Sequence, residues 1–360
     1  MSGSILGNIF RVTTWGESHG PALGAVIDGC PAGLSLSAAD IQPYLDRRRP
    51  GQSTIATPRK ESDAVEILSG VFQGQTTGTP ISLLIKNNDA HSGDYDELAD
   101  CYRPGHADYT YEAKYGLRDH LGGGRSSGRE TVARVAAGAV AAKILGELGI
   151  RLRAYTRAIG PIEINMDNFI TGDIYTTATA MPDKEANDKA LAFLAACREK
   201  GDSCGGVVEC VVSGAPAGLG EPVFGKLDAR LAAALMSIGA VKAVEVGDGV
   251  GAAKAYGSEN NDAYPKRTNH SGGILGGLSD GSDIILRAHI KPTPSIALPQ
   301  QTIDRNGQEI TINIKGRHDP VIVPRAVVVV EAMTALTLLD ALLLNMGSRM
   351  ENIKKIYTTI

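Results

Sequence analysis

The sequence carries no excess of positive charge: 36 Lys and Arg stand against 40 Asp and Glu, for a formal net charge of −4. A general binder of nucleic acid or of an anionic membrane surface needs a basic face, so no nucleic-acid or membrane partner is expected and basic chemistry is left to local clusters. Aromatic residues are scarce, at 5% with a single Trp, which removes the stacking platforms that single-strand binders use. The five cysteines (Cys30, Cys101, Cys197, Cys204 and Cys210) are odd in number, and they form no Cys-x-x-Cys pair and no Cys/His run with zinc spacing. They read as small buried thiols of a reducing compartment, so no metal and a cytoplasmic location are expected. The stretch from Met1 to Asn8 has neither a basic region nor a long apolar core, so no signal peptide is expected there. Long uninterrupted hydrophobic runs are missing as well. The most apolar stretch, Ala326 to Leu344, is broken by Glu331 and Asp340 and reads as a buried helix rather than a membrane span.

Glycine, by contrast, is abundant, at 43 residues, as in chains that bring backbone close to a ligand or make many unusual turns. Strands are expected at 9–14, 23–27, 65–72, 81–85, 207–212, 241–246, 283–290 and 309–315. Ser37-Ala-Ala-Asp40 resembles a capping box that opens a helix ending in Arg47-Arg48-Arg49 and stopped by Pro50-Gly51. Further helices are expected at 131–148, apolar nearly all round, and at 185–200, 226–238 and 324–344. Between 87 and 124 lies a long polar stretch rich in His, Asp, Tyr and Arg, read as a functional loop. Strands cluster in pairs instead of alternating with helices, which predicts one α+β domain over 1–360 with two internal halves.

The strongest chemical signal is Gly122-Gly-Gly-Arg125-Ser126-Ser127-Gly128-Arg129, leading into the helix from Thr131. A helix start offers unpaired N–H groups and partial positive charge, glycines admit a ligand to the backbone, and each charge-assisted hydrogen bond from an arginine contributes roughly 1.5–3 kcal/mol. The turn therefore reads as an anion site, although it lacks the Walker A pattern. Two further turns pair chemistry-bearing residues: Gly16-Glu17-Ser18-His19-Gly20, and Arg103-Pro104-Gly105-His106-Ala107-Asp108. A histidine in either can move a proton near neutral pH, or can simply be a turn histidine satisfied by backbone. The basic stretches Arg47-Arg48-Arg49, Lys291-Pro292-Thr293-Pro294-Ser295 and Lys315-Gly-Arg317-His318-Asp319 are each weak alone and make best sense converging on an anionic ligand. Asp340 is a carboxylate inside Leu338-Leu339-Asp340-Ala341-Leu342 and needs a partner, whether structural or chemical.

Two patterns are rejected. Gly247-Asp-Gly249-Val-Gly251-Ala252 fits a dinucleotide fingerprint, but the polar stretch 254–262 after it is no apolar helix. Gly-Arg-Ser-Ser-Gly is not a nucleophile elbow, because the glycine spacing and the flanking strand are wrong.

Taken together, these residues resemble the chorismate synthase family. The match runs through Gly16 to Gly20 with Asp28-Gly29-Cys30-Pro31, through Gly124-Arg125-Ser126-Ser127-Gly128-Arg129-Glu130-Thr131, and through Gly316-Arg317-His318-Asp319-Pro320 with Glu331-Ala332. Asp46 to Gly51, Arg103 to Asp108, Gly272-Gly273-Ile274-Leu275-Gly276-Gly277 and Lys291-Pro292-Thr293 also fit, so the likeness covers nearly the whole chain in order.

The resemblance implies a β-α-β sandwich, a homotetramer, and a trans-1,4 elimination of phosphate from 5-enolpyruvylshikimate 3-phosphate that gives chorismate and requires reduced FMN, with NADPH a candidate reductant. It implies flavin contacts at Arg125, Ser126, Ser127, Gly239, Ala240, Gly276, Lys291, Pro292, Thr293, Pro294, Ser295 and Arg317. His19 would protonate the departing phosphate, His106 would hold the protonation state of the flavin, and Asp340 would assist at its N5. Ser18 and Ser127 would support the relay, and Arg48, Arg103 and Arg129 would neutralise substrate or NADP phosphate and carboxylates. Three departures from the family pattern stand out: Thr54 where many members carry Arg, Gly239 where some carry Asn, and Gly128 in place of a common Ala. The rival readings are an NADPH-dependent flavin reductase, disfavoured by Thr54 and the failed fingerprint, and a non-catalytic binder of a phosphorylated metabolite, which would not use His19, His106 and Asp340.

Overall fold

A computed structural model describes residues 3–49, 62–87, 99–121, 123–265, 267–314 and 319–358. Pro50, Gly51, Thr54, Gly122, Lys315, Gly316, Arg317 and His318 lie outside the described residues.

The first half contributes β1 (Ile5–Leu6), β2 (Arg11–Gly16), β3 (Ala22–Asp28), α1 (Ala38–Arg48), β4 (Val65–Ile67), the small hairpin β5 (Val71–Phe72) and β6 (Gln75–Thr76), β7 (Ile81–Lys86), α2 (Asp108–Tyr115) and α3 (Thr131–Glu147). The second half contributes β8 (Arg151–Ile159), β9 (Ile162–Glu163), α4 (Lys184–Glu199), β10 (Gly206–Ser213), α5 (Leu227–Met236), β11 (Val241–Val246), α6 (Gly257–Asn260), the hairpin β12 (Ile274–Leu275) and β13 (Leu278–Ser279), β14 (Ile284–Ile290), the hairpin β15 (Gln300–Ile303) and β16 (Glu309–Ile312), α7 (Val323–Asn345) and α8 (Met350–Tyr357).

Two antiparallel five-stranded sheets result, ordered β1-β2-β3-β7-β4 and β11-β14-β10-β8-β9. Each is buried on one face, as its period-two pattern dictates: Leu23, Ala25 and Ile27 of β3 with Ile81, Leu83 and Ile85 of β7, then Val208, Cys210 and Val212 of β10 with Ile284, Leu286, Ala288 and Ile290 of β14. Helices α1, α3, α5 and α7 fill the space between, α3 against the first sheet and α7 against the second. One hydrophobic core runs through both sheets and these helices. This is the β-α-β sandwich of the α+β class implied by the resemblance.

Because α3 and α7 have neighbours on every side, neither needs a polar face, which explains their nearly uniform apolar composition. The two helices approach closely at Gly138, where an added Cβ would sit 2.4 Å from the Ala332 Cβ. Although α7 is apolar and long enough to cross a membrane, it is the central helix of the sandwich.

Several sequence expectations change. The strand expected over 65–72 is broken at Ser69-Gly70, where Gly70 takes φ +81°. The polar stretch read as a loop contains α2, closed by Gly116 in the left-handed conformation. The strand expected over 309–315 ends at Ile312 within the described residues. The longest strand, β8, was not anticipated: its arginines at 151, 153 and 157 hide the alternation that buries Ala154 and Thr156. The capping device of α1 is present in part, with the Asp40 carboxylate accepting from Ser37 N at 2.8 Å and Ser37 Oγ at 2.9 Å.

Candidate active site

The N-terminal ends of α3 and α7, the C-terminal ends of α1, α5, β2 and β14, and the turn after β2 meet at one pole of the sandwich. Direct hydrogen bonds tie them together: Arg48 Nε to Thr131 Oγ1 at 3.1 Å, Arg325 Nε to Arg48 O at 3.2 Å, Lys291 N to Ala240 O at 2.9 Å, and Cys204 N to Pro320 O at 2.9 Å.

The turn from Gly123 to Arg129 lies in this pole. Gly123 and Gly124 adopt φ +86° and +52°, and a Cβ on Gly124 would come within 2.5 Å of Glu17 Oε2 and 3.0 Å of Asp119 Oδ2. Glycine is therefore required by both conformation and space. Ser126 Oγ donates to Gly123 O at 2.7 Å, and Ser127 Oγ accepts from Arg129 N at 3.3 Å, capping the short helical turn Gly128–Glu130 before α3. Arg125 reaches back across the first sheet to Thr14 Oγ1 at 2.7 Å. Beside it, burial raises the Glu17 carboxyl above its usual value, opposed by Arg125 and reinforced by Asp119.

His106 reaches this turn directly, and His19 lies two residues beyond Glu17, whose carboxylate lies beside Gly124. Ser18, which is buried, has its Oγ 3.1 Å from His19 Nδ1. His106 lies alongside Gly123, whose added Cβ would be 3.3 Å from His106 Cε1. His106 Nδ1 is 2.8 Å from Asp108 Oδ1, and Arg103 grips the same carboxylate through Nε at 2.7 Å and Nη2 at 2.8 Å. Arg118 Nη1 adds a second guanidinium at 3.3 Å. Burial works to raise the Asp108 carboxyl, but the hydrogen bonds from Arg103 and His106 overcome it and hold the group well below the usual carboxylate range. Arg103 Nη2 stands 3.0 Å from the same Nδ1, so that edge of the ring is held by both partners and Nε2 is left to address a ligand.

The Lys291–Ser295 segment packs onto the His106 turn: Lys291 Nζ donates to Gly105 O at 2.6 Å, and an added Cβ on Gly105 would stand 3.4 Å from the Pro294 Cβ. Burial lowers the Lys291 ammonium, and neighbouring Lys242 lowers it further, so an anion bound here would relieve the strain between like charges. Thr293 Oγ1 donates to Asp319 O at 3.0 Å, and Asp319 Oδ2 accepts from Arg325 Nη1 at 2.8 Å. Gly239 has open space where a side chain would begin, and Ala240 takes φ +72° beside it.

The arginines are more committed than a free anion patch requires. Arg47 pairs with buried Glu331, its Nη1 and Nη2 at 3.0 and 2.6 Å. Arg48, 2% exposed, meets Asp63 at 2.8 Å, and Arg129 takes the other oxygen of the same carboxylate. Burial lowers the Arg48 guanidinium, with Asp63 opposing. Arg49 meets Asp46 at the surface, 3.6 Å away.

Two expected site residues lie elsewhere. Asp340 is roughly 25 Å along α7 from Val323, at about 1.5 Å per residue. Its Oδ1 accepts from the backbone N–H groups of Asn8 at 2.9 Å, Ile9 at 2.7 Å and Phe10 at 3.0 Å, and its Oδ2 takes Arg230. Those residues precede β2, whereas Ser18 and His19 follow it, so Asp340 belongs to the opposite pole of the same chain. Gly276 is there too: it lies in the β12–β13 turn beside the N-terminal end of α5, while Gly239 follows the C-terminal end roughly 15 Å away. Among the described residues, the buried carboxylates at the histidine pole include Asp63, Asp108, Glu130 and Asp319. Asp63 carries no motif of its own and was missed. The Arg-x-x-His-x-Asp spacing of 103, 106 and 108 was the signal available for Asp108.

Fold and pole together define an α+β sandwich protein whose polar site gathers histidine, cationic groups and buried carboxylates at one end. Residues 10–343 match the family described as chorismate synthase. The chain is 60% identical to the chorismate synthase of Agathobacter rectalis over 99% of both chains, and 54% identical to that of Methanosarcina barkeri over 95% of this chain and 97% of the other. A solved structure described as a crystal structure of chorismate synthase matches with a TM-score of 0.77 at 33% identity, covering 98% of this chain and 97% of that one. The chain belongs to the chorismate synthase family, and with it to the lyases of the shikimate pathway.

Proposed function

We propose that the histidine pole carries out the reduced-FMN-dependent trans-1,4 elimination that converts 5-enolpyruvylshikimate 3-phosphate to chorismate and phosphate. The observation that carries this reading is the convergence of His19, His106, the Arg125–Ser127 turn and Lys291–Ser295 on one pole of the sandwich.

The residues present fit a flavin phosphate and ring. Open space at Gly239, left-handed backbone at Gly123 and Gly124, and the Lys291 and Arg125 cations suit a flat anionic cofactor. When bound, reduced FMN would supply the electron density that assists C–O cleavage and the acceptor for the C6 hydrogen, and would be regenerated, so the reaction is redox-neutral. Arg125, Ser126, Ser127, Ala240 and Lys291 would hold it. His19, oriented by Ser18, would give a proton to the departing phosphate. His106, with Nδ1 fixed by Asp108, would present Nε2 toward the cofactor. Ser127 would support this proton relay. Asp340, with its acceptors occupied by backbone and Arg230, is left to structure in this reading.

The test is phosphate release under anaerobic conditions. Release should require reduced FMN, and an equal rate from flavin-free enzyme would overturn the reading. An aerobic arm with NADPH and FMN asks whether this chain also reduces its own flavin. Assembly as a homotetramer in the cytoplasm belongs to the same reading, and sedimentation of the purified chain tests the assembly.

A further inference from the structure

Asn87 joins the two halves of the pole. It follows β7, and its backbone N–H donates to Pro21 O at 3.1 Å, extending the pairing of β3 with β7 by one step. That register points its side chain at the turn carrying Ser18 and His19. Nδ2 donates to Gly20 O at 2.7 Å and to Glu17 O at 3.1 Å, so one amide holds the carbonyls at both ends of the turn. Oδ1 accepts from Arg129 Nε at 3.0 Å. Only one orientation of the amide satisfies these partners, because two carbonyls require a donor and a guanidinium requires an acceptor. A backbone bond, Gly20 N to Glu17 O at 3.2 Å, also closes the turn. The amide therefore ties both ends of the turn together, and Arg129, anchored on Asp63, fixes the amide.

We infer that Asn87 is a positioning residue for the elimination. It holds the His19 turn in register with the Arg-Ser-Ser-Gly-Arg turn and touches neither substrate nor cofactor. The inference rests on the reading of His19 as the proton donor. Its chemistry is specific to an amide of this length. Aspartate has the same shape but sets an oxygen against two carbonyls, whereas glutamine keeps donor and acceptor at the cost of one methylene.

The experiment uses the full chain with reduced FMN and compares Asn87→Asp, Asn87→Gln, His19→Ala and the double variant His19→Ala/Asn87→Asp. For Asn87→Asp we expect kcat to fall about 100-fold with KM for the substrate changed less than threefold, and for Asn87→Gln a fall of less than tenfold. In the His19→Ala background, Asn87→Asp should cost less than threefold more, because a positioning residue has nothing left to position. Hydrogen exchange of the 17–23 backbone should accelerate at least tenfold in Asn87→Asp. Losses that multiply in the double variant, equal impairment by Asp and Gln, or unchanged exchange of the turn would each overturn the inference. Should His19→Ala keep its turnover, the proton-donor reading fails, and the exchange measurement still decides whether Asn87 holds the turn. If Asn87→Asp does not fold, Asn87→Gln together with the exchange of its turn gives the same decision.

Discussion

Asp63 accepts Arg48 Nη1 on its Oδ2 at 2.8 Å, while its Oδ1 takes Arg129. One carboxylate, fully buried, thus keeps two buried guanidiniums together where α1 ends and α3 begins. Removing it leaves two cations facing each other without water, and breaking a buried pair from one side costs about 3–5 kcal/mol. Asp63→Ala should therefore lose stability of that order, read as a drop in the urea midpoint with an unchanged slope. A midpoint equal to wild type would show that the pair is not the tie it looks to be.

How far this could be read from sequence differs between fold and site. The apolar alternation of β3, β7 and β14 and the capping of α1 are local, and a reader of residues finds them. β8 was lost because outward arginines break the apolar count, although Ala154 and Thr156 still face inward. At the site, His19, His106 and the Ser126-Ser127 turn announce themselves by residue type. Their partners do not. Asp63 and Asn87 lie far from those motifs in the chain and reach them only through the sheet and the helix starts. Asp340 is ambiguous for the complementary reason: a carboxylate in an apolar helix signals an unusual partner, but sequence does not say whether that partner is a ligand or, as found, the backbone at Asn8, Ile9 and Phe10.

That ambiguity can be resolved by separating stability from turnover. Asp340→Ala removes an acceptor from three backbone donors and from Arg230, which should cost about 3–5 kcal/mol. Turnover per folded enzyme should stay within threefold of wild type. Calorimetry with active-site titration makes the comparison, and a large loss of kcat at unchanged stability would return Asp340 to the chemistry.

Gly124 offers a probe of the turn itself. Alanine there must adopt φ +52° and bring its Cβ within 2.5 Å of Glu17 Oε2. The conformational cost alone is about 1–2 kcal/mol, and the Glu17 side chain must also move. Gly124→Ala should weaken flavin binding tenfold or more, by fluorescence titration, while the thermal midpoint falls by a few degrees. Gly128→Ala, with nothing within 4 Å of the new atom and no left-handed φ, should leave both unchanged.

Asp108 contributes an acid-side pH dependence to the pole. Its carboxyl is held well below the usual value of 3.8 because Arg103 and His106 outweigh its burial. A carboxyl depressed in the folded state contributes stability that is complete above its unfolded value of about 3.9 and is lost as pH falls below it. Wild-type stability should therefore decline between about pH 4 and pH 2 more steeply than that of Asp108→Asn, which cannot release this proton. At pH 7 the variant should already be weaker by about 3–5 kcal/mol, because Arg103 and Arg118 lose their buried counter-charge. It should also lose most turnover, since His106 Nδ1 no longer faces an anion. Urea titrations of both proteins from pH 7 to pH 2 check the sign. Parallel acid limbs for the two would mean that Asp108 does not carry the ionisation its contacts describe.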